Sequence, residues 1–186
     1  VLPIATNILE DDQRPTSRYN YSLLDFLEST NLDHYSELFN LPTKVKKIDD
    51  QKELEHLTIE LSWKSSALEG NTYSLLDTEL LLKDGLRAKG KTDFETQMIL
   101  NHKDAIGFII ENQKLFKHKI TKHSVAELHK IIGRNIGIKS GVRKRMVHIS
   151  SSNYSPEANP HKLSESLERT LGIINNSKEP HIKALL

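Results

Sequence analysis

The helix that ends at Glu69-Gly70 constrains the fold of this chain more than any other feature. The glycine predicts where the helix ends, and the spacing of the apolar residues predicts which side of the helix is buried. Gly70 can adopt the left-handed conformation that ends a helix. Four apolar residues upstream recur at helical spacing and predict one core-facing stripe: Leu54, Leu57, Leu61 and Leu68. Ser65 falls within that stripe, and Glu69 lies one turn further along nearly the same side.

The Glu69 carboxylate is the unusual group on this helix. On a core-facing side it would need a cation or several donors, because an unpaired buried charge is too costly to keep. At a helix C-terminus it also opposes the helix dipole, which disfavours an anion there by about 0.3–1 kcal/mol. Most glutamates at helix ends are solvated. The residues alone therefore leave three options: a solvated side chain, a structural ion pair, or an acid presented to a site.

The composition restricts the class of protein. The 186 residues predict one domain with an appended arm. Lys and Arg number 26 against 25 Asp and Glu, and the net charge of +1 argues against a nucleic-acid partner. The chain has no cysteine and no run near the roughly 18 apolar residues of a membrane span. Its first residues do not resemble a signal peptide, so we expect a soluble cytoplasmic protein with no membrane partner.

Capping signals divide the chain into helices. Residues 1–47 predict an arm with short helices, and residues 48–186 predict the main domain. Helix starts in that domain are marked by Ser74 with Asp77, Thr92 with Glu95, Thr121, Asn159 with Pro160, and Pro180. The inner stripe of the helix after Thr92 is expected to be Phe94, Met98, Ala105 and Ile109. Asn101 lies among them, and we interpret it as a core amide bonded to the backbone.

Residues 140–158 differ in character from the rest. Glycines, prolines and a serine run exclude a long helix, and Arg145, Val147 and Ile149 recur at strand period. We therefore expect a short β-hairpin, called the flap below. A basic cluster lies beside it: Lys139, Arg143, Lys144 and Arg145. A solvated turn is the simpler interpretation of this cluster, and attraction of a nucleotide phosphate or an acidic target segment is the alternative.

The sequence contains no motif for metal or phosphate chemistry. His118, His123 and His129 do not have the spacing of a His-Glu-x-x-His metal site. Neither a glycine-rich phosphate loop nor a serine nucleophile elbow is present. We therefore assign no metal ligand and no catalytic residue within this chain.

The order and spacing of these motifs resemble the Fic-domain protein adenylyltransferases, in particular the class with an inhibitory helix ahead of the catalytic core. That class has Ser or Thr, three residues, Glu, and then Gly or Asn, which Ser65, Glu69 and Gly70 match. The segment 71–77 resembles the start of the family's next helix. Asn101 with Ala105, Glu127-Leu128-His129 and the flap also have similar counterparts, so the resemblance covers about residues 48–186.

The resemblance implies a mainly α, Fic-like helical bundle with one short β-hairpin flap. The inhibitory helix would span about residues 50–69 and the flap about residues 140–158. The flap would position a target segment through four residues: Arg143, Val147, His148 and Ile149. Its strand would pair with the main chain of that segment, as an edge strand captures a peptide.

The implied activity is transfer of AMP from ATP, with Mg²⁺, to a Tyr, Thr or Ser hydroxyl of a target protein. Glu69 would pair with an arginine and occupy the place of the ATP γ-phosphate, and Ser65 would steady the helix end. The family's His-Pro-Phe and Gly-Asn-Gly-Arg loop does not occur in the sequence. We therefore expect a bundle truncated on its C-terminal side, with its catalytic residues beyond Leu186. This chain alone should be inactive and should bind neither ATP nor Mg²⁺ tightly.

Two other functions stay open. In the first, the chain is a non-catalytic helical interaction or regulatory module, and Glu69 forms a structural ion pair. The second and weaker one is a nucleic-acid regulator that uses the basic cluster. Self-association into a homo-oligomer through residues 1–40 is compatible with the sequence.

Overall fold

A computed structural model describes residues 21–32, 50–147 and 154–185. This part of the chain is mainly helical, as predicted. Its eight helices are α1 (Tyr21–Ser29), α2 (Gln51–Leu68), α3 (Leu75–Asp84), α4 (Asp93–Glu111), α5 (Gln113–Lys117), α6 (Lys122–Ile132), α7 (Pro160–Asn176) and α8 (Pro180–Leu185).

The chain divides into two compact units. One contains residues 50–141, and the other combines residues 21–32 with the described residues from 142 onward. The boundary predicted near residue 47 falls among residues 33–49, which lie outside the described part, so it stays a prediction. The second short helical pattern of the predicted arm, around Tyr35 to Phe39, lies outside it as well.

The predicted helix starts are confirmed. Ser74 with Asp77 and Thr92 with Glu95 both form reciprocal capping boxes. Thr121 caps α6, and Asn159 caps α7 with proline in its first turn. These signals succeed because each involves backbone and side chains only two or three residues apart. The inhibitory helix predicted at about residues 50–69 corresponds to α2, which Asp50 caps.

The predicted core-facing stripe of α2 is wrong in its C-terminal half, whereas Leu54 and Leu57 are half-buried. Leu61 is 40% exposed and Leu68 is 89% exposed. The buried residues of α2 are instead Ile59, Ser62 and Ser66. The Ser62 hydroxyl donates to the Thr58 carbonyl of its own helix at 2.7 Å. A serine bonded in this way no longer needs water, so it serves as a small buried side chain.

Helix α4 forms the centre of the first unit, where it packs against α2, α3 and α6. Ile99 is fully buried in a cluster with Tyr73 and Leu81. The predicted inner stripe of α4 is half correct. Met98 and Ala105 are buried, whereas Phe94 is 49% and Ile109 40% exposed, because they lie at the ends of the stripe.

Asn101 is the amide that the sequence predicted in this core, and its bonding to the backbone is confirmed. Its side chain is 0% exposed. Its Nδ2 donates to the carbonyl oxygens of Ile132 at 2.9 Å and Arg134 at 2.7 Å. Its Oδ1 accepts from Gln97 at 2.8 Å. Asn101 therefore fastens α4 to the chain that leaves α6.

The second unit is held together by α1, α7 and α8. Leu24, Leu171 and Ile182 are buried in it. The Arg169 guanidinium of α7 donates to Glu28 at 2.8 Å and to Asp25 at 2.5 Å, both on α1. The hydrogen bond from Arg169 to the Glu28 carboxylate lowers the pKa of Glu28.

The predicted β-hairpin flap is not seen in the described residues. Arg145, Met146 and Val147 carry no strand, and Ser155 has only a single β-bridge. His148 and Ile149 lie outside the described part of the chain. Arg143 and Val147 are described, and their surroundings are given below.

Candidate functional site

The candidate site is the C-terminal end of α2. Glu69 is the C-cap residue, with φ −86° and ψ 8°, and its side chain is exposed. Gly70 follows with φ +87°, the left-handed conformation that the sequence predicted. The amides of Glu69 and Asn71 both donate to the Ser66 carbonyl, at 3.1 and 3.0 Å. The backbone that carries Glu69 is therefore fixed.

The residues after Gly70 are anchored to the start of α4. Asn71 Nδ2 donates to the Glu95 carbonyl at 2.8 Å, and Asn71 Oδ1 accepts from the Tyr73 amide at 3.0 Å. The Glu95 carboxylate accepts from the Thr72 hydroxyl at 2.5 Å and from the Thr72 amide at 3.2 Å. The same carboxylate caps α4 through Thr92. Glu95 thus joins the turn after α2 to the first turn of α4.

These contacts also set the charge of Glu95. The Thr72 hydroxyl, followed by the backbone and side chain of Thr92, donates to the carboxylate and lowers the pKa of Glu95 to about 2. Hydrogen bonds to a carboxylate favour its charged form. Glu95 is therefore ionised at every pH at which the protein would work, and the anchor is charge-assisted.

Four further contacts hold the same turn. Lys91 Nζ donates to the Thr72 carbonyl at 2.5 Å and lies 5.6 Å from the centre of the Tyr73 ring. Trp63 Nε1 donates to the Tyr73 carbonyl at 3.0 Å, so this half-buried tryptophan connects α2 to the turn. The Tyr73 hydroxyl pairs with Thr96 at 2.8 Å. The end of α2 thus has a fixed position relative to α4.

The Glu69 carboxylate itself has no ion pair or hydrogen bond among the described residues. It acts on His102 of α4 electrostatically: burial lowers the pKa of His102, and the Glu69 charge works in the opposite direction. His102 Nε2 is buried and has no partner in the described part. Ser65, one turn before Glu69, is half-buried, while the hydroxyl of its neighbour Ser66 is buried without a described partner.

Chemically, this arrangement presents an unpaired anion at the tip of a fixed helix. The three residues predicted to be inhibitory, Ser65, Glu69 and Gly70, lie together there because they share one helix end. Glu69 is exposed, so the side of α2 on which the sequence places it is not core-facing, and of the three options left open for its carboxylate the structural ion pair has no partner among the described residues. The dipole disfavours an anion at a helix C-terminus, so a cation brought to Glu69 would relieve that cost of about 0.3–1 kcal/mol.

The residues predicted for the flap belong to the second unit. Arg143 is half-buried, and its Nη2 donates to the Glu157 carbonyl at 2.6 Å. Lys144, Arg145 and Val147 are exposed. The basic residues thus have different environments, and Arg143 alone among them has a described contact to the far side of the loop.

Two kinds of site are absent from residues 21–32, 50–147 and 154–185. In that part of the chain, no three His, Asp or Glu side chains come together in a way that could hold a metal ion. No helix there is both long enough and apolar enough to span a membrane.

Comparison with known proteins gives one distant similarity. The chain is 22% identical over 187 residues to the protein adenylyltransferase Fic of Nematostella vectensis. The match covers 97% of this chain and 41% of the relative, so the chain spans about two-fifths of the length of the curated relative that it matches. No family model matches the chain, and no solved structure matches it significantly. The similarity supports a distant relation to Fic adenylyltransferases, in agreement with the motifs.

Sequence reasoning missed the anchor that fixes the helix end. The sequence predicts the capping box of Thr92 and Glu95, but the second partner of Glu95, Thr72, lies 23 residues away in sequence. The contact of Lys91 with Thr72 is not predicted by the sequence either. The available signal was the run Asn71-Thr72, whose polar side chains directly follow a helix-ending glycine.

Proposed function

We propose that this chain belongs to an autoinhibited protein adenylyltransferase, an enzyme that transfers AMP from ATP to a Tyr, Thr or Ser hydroxyl of a target protein. In this proposal α2 is the inhibitory helix, and the Glu69 carboxylate is the brake. The observation that carries the proposal is a Glu69 carboxylate that no described residue pairs with, on a helix end that Glu95, Asn71 and Trp63 hold in place. The distant similarity to a Fic adenylyltransferase supports it.

The brake acts through charge. An arginine that would otherwise contact the ATP γ-phosphate pairs with Glu69 instead, and ATP then binds in a non-productive pose. A fixed carboxylate suits this role, because a competitor loses less conformational entropy when its backbone is already ordered. Ser65 steadies the last turn of α2, and Gly70 lets the chain turn away so that the Glu69 side chain stays accessible.

The end of α2 presents one carboxylate, that of Glu69, and the Glu95 carboxylate is bonded to Thr72 and Thr92. We propose that the residues that bind ATP and Mg²⁺, and those that perform the transfer, are supplied by the rest of the protein. This chain contributes the inhibitory helix and, through residues 142–159, a part of the surface that meets the target.

The proposal is tested by replacing Glu69 with glycine in the whole protein. The measured quantity is the initial rate at which AMP, labelled in the α-phosphate of ATP, is incorporated into protein. We expect the rate to rise at least tenfold, as removal of about 1.4 kcal/mol of inhibition would produce. Equal rates in the wild type and in Glu69→Gly would refute the brake.

A matched control separates the effect of losing the Glu69 charge from the effect of making the end of α2 more flexible. Ala67 is exposed on the last turn of α2, so Ala67→Gly weakens the same helix by about 0.5–1 kcal/mol without touching the acid. This variant should label at the wild-type rate. Activation by Ala67→Gly equal to that by Glu69→Gly would mean that fraying of the helix, and not loss of the charge, releases the enzyme.

The alternative function is a helical interaction or regulatory module in which Glu69 forms a structural ion pair. It predicts that Glu69→Gln lowers the melting temperature. The lack of an ion pair to Glu69 in the described part of the chain speaks against it. Our proposal expects Glu69→Gln to leave the melting temperature unchanged or slightly raised, because it removes an anion from a helix C-terminus.

A further inference from the structure

Arg143 has an environment that separates it from the other basic residues near the flap. Its guanidinium reaches across the loop to the carbonyl oxygen of Glu157, fourteen residues later, with an Nη2–O distance of 2.6 Å. Its Nε is buried and has no partner in the described part. Lys144 and Arg145, which follow directly, are exposed. A half-buried guanidinium whose Nε is buried and whose Nη2 donates to a backbone carbonyl indicates a structural contact, because a group that gives up part of its hydration needs a protein partner.

The residue that Arg143 holds is itself fixed to a helix. The Glu157 carboxylate accepts from the Asn159 amide at 2.8 Å. Asn159 Oδ1 in turn accepts from the His161 amide at 2.9 Å and so caps α7. A continuous set of hydrogen bonds therefore runs from Arg143 through Glu157 and Asn159 into the first turn of α7.

We propose that Arg143 is a positioning residue that fastens the two ends of the flap loop to each other and to α7. This inference rests on the proposed function, since it states how residues 142–147 and 154–159 are kept ready for the target. Arg143 acts through Glu157 and does not itself contact the target or ATP.

The proposal differs from an electrostatic role for the basic cluster. If the cluster attracted a phosphate or an acidic segment, the exposed Lys144 and Arg145 would matter more than Arg143, and salt would weaken their effect. If Arg143 fastens the loop, its effect depends on the guanidinium contact to Glu157. A partly buried contact of this kind is screened much less by salt.

The test compares Arg143→Met with Arg145→Met in the whole protein, both in the activated Glu69→Gly background. Methionine keeps much of the apolar stem of arginine but cannot donate a hydrogen bond. Arg145→Met removes one positive charge from the same loop at an exposed position. The first readout is amide hydrogen exchange at Asn159 and His161. It measures how often the end of the loop opens to solvent, and it does not depend on whether the protein is an enzyme.

We expect the Asn159 amide to exchange about tenfold faster or more in Arg143→Met and at an unchanged rate in Arg145→Met, because a hydrogen bond from a charged donor is lost only in the first. Arg143→Lys should restore part of the protection, since an ammonium can also donate to the Glu157 carbonyl. Unchanged exchange in Arg143→Met would overturn the inference.

The second readout is AMP transfer from α-phosphate-labelled ATP to the proteins of a cell extract, which serve as acceptors. We expect Arg143→Met to lower the rate at saturating ATP severalfold while the KM for ATP stays the same, and Arg145→Met to leave both unchanged. Faster exchange with an unaltered transfer rate would overturn the positioning role. If Arg143→Met loosens the loop but no variant, including Glu69→Gly alone, transfers AMP, the proposed function fails and the Arg143 contact stands.

Discussion

Replacement of Asn101 by alanine removes the amide that fastens α4 to the end of α6. Three hydrogen bonds of this 0% exposed side chain are lost, two of them to the carbonyls of Ile132 and Arg134. At a net 0.5–1.5 kcal/mol for each bond, the loss amounts to about 1.5–4.5 kcal/mol of unfolding free energy, with a midpoint of about 3 kcal/mol. The two carbonyls are left without their described donor, which places the result towards the upper part of that range.

The assay is urea unfolding followed by the fluorescence of Trp63, the only tryptophan of the chain. Trp63 lies in the same unit as Asn101, so its signal reports the relevant transition. Gln97→Ala is the matched control, because it removes one of the three bonds and should cost about 1 kcal/mol. If Asn101→Ala stayed within about 0.5 kcal/mol of the wild type, the amide would not fasten these helices.

Two further predictions concern the end of α2. Gly70→Ala should destabilise the chain by about 1–2 kcal/mol, since Gly70 has φ +87° and a Cβ there meets nothing within 4 Å, so only backbone strain acts. Gly107 lies inside α4, and a Cβ there also meets nothing within 4 Å, so Gly107→Ala should stabilise the protein by about 0.5–1 kcal/mol. Equal effects of the two substitutions on thermal unfolding would contradict this reasoning. Because the pKa of Glu95 falls from 4.5 to about 2, its contribution to stability is present above pH 4.5 and is lost towards pH 2. In Glu95→Gln this part of the pH dependence of the unfolding free energy should disappear. If the unfolding free energies of the wild type and the variant instead change in parallel between pH 4.5 and pH 2, the anchor is refuted.

Features formed by residues close together in sequence were predictable, whereas features formed by distant residues were not. Helix starts at Ser74, Thr92, Thr121 and Asn159 were predictable, because a cap is formed by residues close in sequence. The left-handed Gly70 was predictable for the same reason. The prediction that Asn101 is a buried amide bonded to the backbone was also correct, since a polar residue in an apolar stripe of a helix needs hydrogen-bond partners.

The buried face of α2 could not be found in this way. The leucine stripe is the stronger hydrophobic signal, yet the first unit buries the side with Ile59, Ser62 and Ser66. Periodicity identifies an apolar face but not the neighbour that covers it. The hydrogen bond from Ser62 to its own helix offsets the cost of burying the hydroxyl, and the sequence alone does not show this bond.

The candidate site was predicted in part. The sequence identified Ser65, Glu69 and Gly70 but placed the carboxylate on the core-facing side, whereas it is exposed. The error follows from the α2 stripe, because Glu69 was assigned to the leucine face. The long-range anchor through Thr72 and Glu95 could not be inferred, since nothing in the sequence specifies which turn meets the start of α4.

The central claim is that the negative charge of Glu69 holds an adenylyltransferase inactive. The most direct measurement is the rate of AMP incorporation by Glu69→Gln, which keeps the size of the side chain and the helix end and removes only the charge. A rate close to that of Glu69→Gly and well above the wild type is the predicted result. A Glu69→Gln protein that labels no faster than the wild type would contradict the claim.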